Sequence, residues 1–126
     1  MHAYNPLQAP DPATWLALPE QDRIDLVATC QKQAGVKTPL PDIHTFMHAT
    51  IENQIASPES PQAKRAMDRL LADGLDRHEA VHAIGSVLAR FMPALLTDKD
   101  KKPFDAQAYY GALDHLTKES WYREYR

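Results

Sequence analysis

Between Asp76 and Leu96 the apolar residues fall at Val81, Ile84, Leu88, Phe91, Met92 and Leu95. That is the three-and-four spacing of a single helix face. The same period recurs in other stretches, and residues that start or stop helices bound each one. Ile24, Val27, Ala28 and Gln31 follow Pro19 and stop at Gly35. Met47, Ile51 and Ile55 stand on a segment over 43–56, with Asp42 as its N-cap. Ala63, Ala66, Met67, Leu70 and Leu71 follow Ser60-Pro61 and stop at Gly74. Asp105 precedes Tyr109, Ala112, Leu113 and Leu116. No window alternates apolar and polar residues between turn signals, so strands are not predicted.

The pattern predicts an all-α protein, a compact bundle of four to five helices forming a single domain over residues 1–126. Residues 1–12, with Pro6, Pro10 and Pro12, read as an extended arm packed through Tyr4 and Leu7. Thr14 to Leu18 suits a single helical turn. Pro93 kinks or shortens the end of the long helix from Asp76, and Trp121 packs the aromatic tail back.

A chain of 126 residues with 44% apolar residues can bury one core. Its net charge of -3 and the absence of a long basic run exclude a phosphate-tracking surface, so no nucleic-acid partner is expected. No apolar run reaches the roughly 20 residues of a bilayer span, so no membrane partner is expected either. Cys30 is the one cysteine and suits a small core residue. Met1 to Pro6 carry no basic-then-apolar signal pattern, and a cytoplasmic location is the expectation. Homo-oligomerisation is left open.

Ligand-type residues concentrate on two of the predicted helices. His78-Glu79-Ala80-Val81-His82 places two imidazoles four residues apart, about 6 Å along one helix face. His44, His48 and Glu52 step along the other helix at intervals of four. A lone His-x-x-x-His is more often a polar edge on an apolar stripe than a ligand pair. A second ligand-rich helix balances that explanation against a metal site formed by His44, His48, Glu52, His78 and His82. His44 and Glu52 are about 12 Å apart along the axis and cannot hold the same ion. One ion would therefore take His48 with His44 or with Glu52. His44 faces the apolar stripe and needs a hydrogen-bond or metal partner there. If His48 and His82 share an ion, the helices over 43–56 and 76–96 pack side by side. Glu79 stands three residues after Asp76, the spacing of a capping box, and that role is favoured over catalysis.

Residues 42–92 resemble a group of small bacterial proteins of uncharacterised function. Their pattern is His-x-x-x-His, a Glu-Asn-Gln, then Gly-Leu-x-Arg-His-Glu-Ala-x-His-Ala-Ile-Gly. The matching residues here are His44, His48, Glu52, Asn53 and Gln54, then Gly74, Leu75, Arg77, His78, Glu79, Ala80, His82, Ala83, Ile84 and Gly85. The resemblance covers a little under half of the chain. It implies that the histidines belong together, and it names no substrate.

Three functions fit these residues. The first is a metal-binding helical bundle whose mixed imidazole and carboxylate ligands suit zinc, iron or manganese. Its His48/Glu52, His78/His82 and His115/Glu119 spacings are similar to those of hemerythrin-like di-iron proteins. The chain departs from them in having no histidine on its first helix and an extra helix between the middle pairs. The second is a zinc-dependent metallopeptidase, with His78 and His82 on zinc and Glu79 activating water. Leu88 stands where one such class has a third histidine, and Glu119 is a distant alternative ligand. The missing edge strand weighs against this reading. The third is a non-enzymatic helical interaction protein whose histidines are hydrogen-bonded without metal. All three share a helical scaffold, and the far-ultraviolet circular dichroism spectrum should be dominated by helix. A spectrum dominated by sheet would remove the bundle.

Overall fold

In the computed structural model, residues 1–37, 41–92 and 104–125 are described. Among them are seven helices and no strand. They are α1 (Pro12–Ala17), α2 (Glu20–Gln33), α3 (Pro41–Ala56), α4 (Pro61–Ala72), α5 (Arg77–Phe91), α6 (Ala106–Asp114) and α7 (Lys118–Glu124). The chain divides into two compact units, Met1–Pro61 and Gln62–Arg126. The all-α architecture agrees with the apolar period. The helix count exceeds the expected four to five because the short Trp15 segment is a helix of its own and the last predicted helix is two.

In the first unit, local chemistry sets each helix start. Asp11 accepts from the Thr14 N–H at 3.0 Å and from its hydroxyl at 2.8 Å, closing the N-terminus of α1. The backbone hydrogen bond from Thr14 holds the Asp11 carboxyl below its usual range. Pro19 is the N-cap of α2. Glu20 and Asp22 in the first turn and Lys32 in the last complement the helix dipole. Gly35 follows at φ +68°, a left-handed conformation that stops the helix without a side-chain clash. Helix α3 begins at Pro41, so Asp42 lies in its first turn and is not the cap that its position in the sequence suggests.

The core of this unit gathers Tyr4, Trp15, Val27 and Ala49, with Leu18, Ile24, Leu26, Cys30 and Ala56 packed against it. Trp15 has no exposed surface, so its indole N–H needs a partner. Asn53 Oδ1 accepts it at 2.9 Å and also accepts from Arg23 Nη1 at 2.8 Å. Arg23 Nε donates to the Leu18 carbonyl at 3.1 Å, tying the α1–α2 corner to α3. Tyr4 is buried, as expected of the arm, but Leu7 is exposed. A turn closed on Asn5, through the Leu7 and Gln8 N–H groups, leaves the Leu7 side chain outside.

The second unit opens on α4, which buries Ala63, Ala66, Met67 and Leu70 and leaves Leu71 at 40% exposure, off the predicted apolar face. Gly74 at φ +99° ends the segment. Helix α5 starts at the Asp76 cap and ends at Phe91. The expected continuation to Leu96 and the Pro93 kink lie outside the described residues. Asp105 accepts from the Ala108 N–H at 3.0 Å and starts α6 as predicted. The chain then breaks at His115, because Thr117 and Ser120 form a capping box that begins α7. Arg69 donates to the Leu113 and Leu116 carbonyls at 3.0 and 2.6 Å, tying α4 to the end of α6 and the turn that follows it. Phe91, Phe104 and Tyr109 form a ring cluster with centroids 5.5 to 6.3 Å apart. Trp121 is buried, and its indole N–H reaches Ser86 Oγ at 3.2 Å, as the expected packing of the tail requires.

Asn53 is the shared acceptor of the first unit, so Asn53→Ala leaves a buried indole donor and a guanidinium donor short of it. The substitution should cost about 1–3 kcal/mol, read as a lower urea midpoint at unchanged slope. An unchanged midpoint would show that Asn53 is not a stabilising acceptor.

Candidate metal centre

Helix α3 carries His44, His48 and Glu52 on successive turns, and their environments differ. His48 and Glu52 are buried, at 3% and 1% exposure, whereas His44 is half-buried. The His44 and His48 rings meet edge to face, with centroids 4.7 Å apart and planes at 66°. This is the neighbour relation that four-residue spacing imposes on a helix.

Both rings also touch side chains from other elements of the first unit. The Tyr4 phenol, carried in by the N-terminal arm, donates to Glu52 Oε2 at 2.5 Å and lies 3.4 Å from His48 Nδ1. The Tyr4 ring stands at 80° to the His48 imidazole. On the other side, His44 Nδ1 is bonded to Gln31 Oε1, and the Gln31 amide nitrogen donates to Thr45 Oγ1. The partner that His44 needs on the apolar face is therefore found on α2.

In the second unit, α5 holds His78 and His82, both half-buried, with ring centroids 4.5 Å apart. The His82 carbonyl accepts from Ser86 Oγ at 2.9 Å. Glu79 is engaged in a complete capping box. Its Oε1 accepts from the Asp76 N–H at 3.2 Å, and Asp76 Oδ1 accepts from the Glu79 N–H at 2.8 Å.

His44 and His48 on α3 in the first unit, and His82 on α5 in the second, each offer a ring nitrogen of the kind that can bind a metal ion. Glu52 and His78 are not among these three. Glu52 instead accepts from Tyr4, and His78 lies against the His82 ring. His115 and Glu119 are not on one helix. His115 is the C-cap of α6 and donates through Nδ1 to the Gly111 carbonyl at 2.8 Å, while Glu119 lies on α7, 3.7 Å from Arg123. A cleft of about 350 Å³ beside the arm is lined by His2, Tyr4, Asp22, Asp25 and Cys30 among others. Burial raises the Cys30 thiol pKa there, which disfavours the nucleophilic thiolate. No helix among the described residues is long and apolar enough to cross a membrane.

Sequence reasoning passed over Tyr4 and Gln31 as functional residues. Tyr4 stands out only as an apolar anchor in a proline-rich arm, and Gln31 only as a polar residue within an apolar helical stripe. No local pattern links them to histidines 44 and 13 positions away. Comparison of the chain with family models, with curated proteins and with solved structures finds no match.

The capping geometry defines what Glu79 does for folding. Glutamine fills the same position in a capping box, so Glu79→Gln should change stability by less than about 0.5 kcal/mol, whereas Asp76→Ala should cost about 0.5–2 kcal/mol in a thermal or urea melt. Loss of a measurable hydrolysis in Glu79→Gln, with metal content intact, would show that capping is not its whole role.

Proposed function

We propose that the protein is a metal-binding helical protein in which His44, His48 and His82 ligate one divalent transition-metal ion. The observation that supports this reading is the pair of His44 and His48 on successive turns of α3, ring centroids 4.7 Å apart; His82, from the His-x-x-x-His of α5, is the third ligand of the proposal. The ligand chemistry narrows the choice of metal. Three neutral imidazoles suit zinc or iron(II) and leave a coordination position for water or another small ligand. Manganese favours carboxylate and carbonyl oxygens, and the nearby carboxylate, Glu52, is engaged with Tyr4.

The metallopeptidase reading has less support. It requires Glu79 to activate water, and that carboxylate caps α5. It also requires an edge strand for the substrate, and no strand occurs among the described residues.

The ion binds the folded state preferentially, so zinc or iron(II) should raise the melting temperature in proportion to occupancy, and chelator should reverse the rise. His48→Ala and His82→Ala should each weaken metal binding sharply, because each removes a metal–nitrogen bond. Protons compete for imidazole, so affinity should fall as pH drops through about 6.5. Metal analysis of untagged protein and melts with metal or chelator provide the test. Identical wild-type melts, with no metal in the purified protein, would refute the proposal and favour hydrogen-bonded core histidines.

A further inference from the structure

We infer that Tyr4 and Gln31 are positioning residues that hold His48 and His44 in the Nδ1–H tautomer, presenting Nε2 of both rings to the metal, with Glu52 acting through Tyr4. The inference rests on the metal-binding reading and specifies how the first unit prepares its two ligands.

The proton count on the Tyr4 phenol settles the first ring. A phenol has one proton to donate. The phenol donates to Glu52 Oε2, so that proton lies toward the carboxyl oxygen. The phenol oxygen then faces His48 Nδ1, 3.4 Å away, only with its lone pairs. A bond across that distance requires Nδ1 to carry the hydrogen. In a neutral imidazole this leaves the lone pair on Nε2, the atom that a metal needs.

The second ring reaches the same state through different chemistry. The Gln31 amide has a donating nitrogen and an accepting oxygen. Its nitrogen donates to Thr45 Oγ1, which leaves Oε1 facing His44 Nδ1. The carbonyl oxygen only accepts, so His44 Nδ1 donates and Nε2 again holds the lone pair. Two histidines on consecutive turns of α3 are thus oriented alike, one by an α2 amide and the other by a phenol–carboxylate pair that includes the N-terminal arm. An imidazole held through its second nitrogen loses less orientational freedom on binding and is more basic at the first.

The test uses the full-length protein and zinc as the probe. Long-range proton–nitrogen correlation spectra of metal-free wild type, at mildly alkaline pH, report the tautomer of each ring. His44 and His48 should both show protonated Nδ1. Tyr4→Phe should convert His48 to a tautomer mixture, leave His44 unchanged, and weaken zinc about 10- to 100-fold in competition with a chromophoric chelator. Gln31→Glu, which keeps only accepting oxygens, should preserve the His44 tautomer, whereas Gln31→Ala should lose it. The wild-type tautomers are read without any substitution, so poor folding of a variant does not remove the test. An Nε2–H tautomer at His48 in wild type, or unchanged zinc affinity in a folded Tyr4→Phe protein, would overturn the inference. A wild type that binds no metal would fail at the earlier step, refuting the metal centre itself whatever tautomers its rings show.

Discussion

The first unit depends on satisfying a buried carboxylate. Glu52 is almost wholly removed from water, and an ionisable group in that position is costly unless it is hydrogen-bonded. Tyr4 supplies a hydrogen bond from 48 residues earlier in the chain. That bond gives the proline-rich arm a fixed end point on α3 and brings an aromatic ring beside Trp15, 5.8 Å away between centroids. One residue further along α3, Asn53 accepts from Trp15 and Arg23 and binds the α1–α2 corner to the same helix. A polar stretch of α3, Glu52 and Asn53, therefore organises the apolar residues around it.

The second unit is held by groups that close helix ends. Asp76 with Glu79, and Thr117 with Ser120, each satisfy donors reciprocally at a helix start. Arg69 covers carbonyls at the end of α6, and Asp73 accepts from the Lys118 N–H at 3.1 Å, just beyond the Thr117 cap. The Arg65–Asp114 pair, 3.0 Å apart through both carboxylate oxygens, is exposed and contributes little by itself. The helix ends are therefore defined by short-range hydrogen bonds, and the ring cluster of Phe91, Phe104 and Tyr109 supplies apolar packing.

The candidate metal centre follows from how the histidines are constrained. Four-residue spacing would let either ring of a pair adopt several orientations. On α3, hydrogen bonds from outside the helix limit this freedom, and a ligand already oriented gives up less entropy when it binds. Glu79 shows the opposite outcome for a familiar motif. The His-Glu-x-x-His spelling is present, but its glutamate completes a cap, so the sequence pattern alone does not define a hydrolytic site.

The sequence by itself determined the helical class, most helix boundaries and the spacing of the histidine pairs. These depend on interactions within a few residues. The apolar period defines a face, Gly35 and Gly74 supply left-handed turns, and Asp76, Asp105 and Pro61 mark helix starts. It misplaced features whose outcome turns on small shifts in the chain path: Asp42 as a cap, Leu7 and Leu71 as buried residues, and an unbroken last helix. Only the tertiary structure decided that Glu52 is bonded to Tyr4, that His44 meets Gln31, and that Asn53 is shared by Trp15 and Arg23. Those pairings join residues 13 to 48 positions apart, and their partners are chosen by which helix faces meet in the core. Local propensity carries no information about that choice, because each side chain could equally have been satisfied by water until packing excluded it.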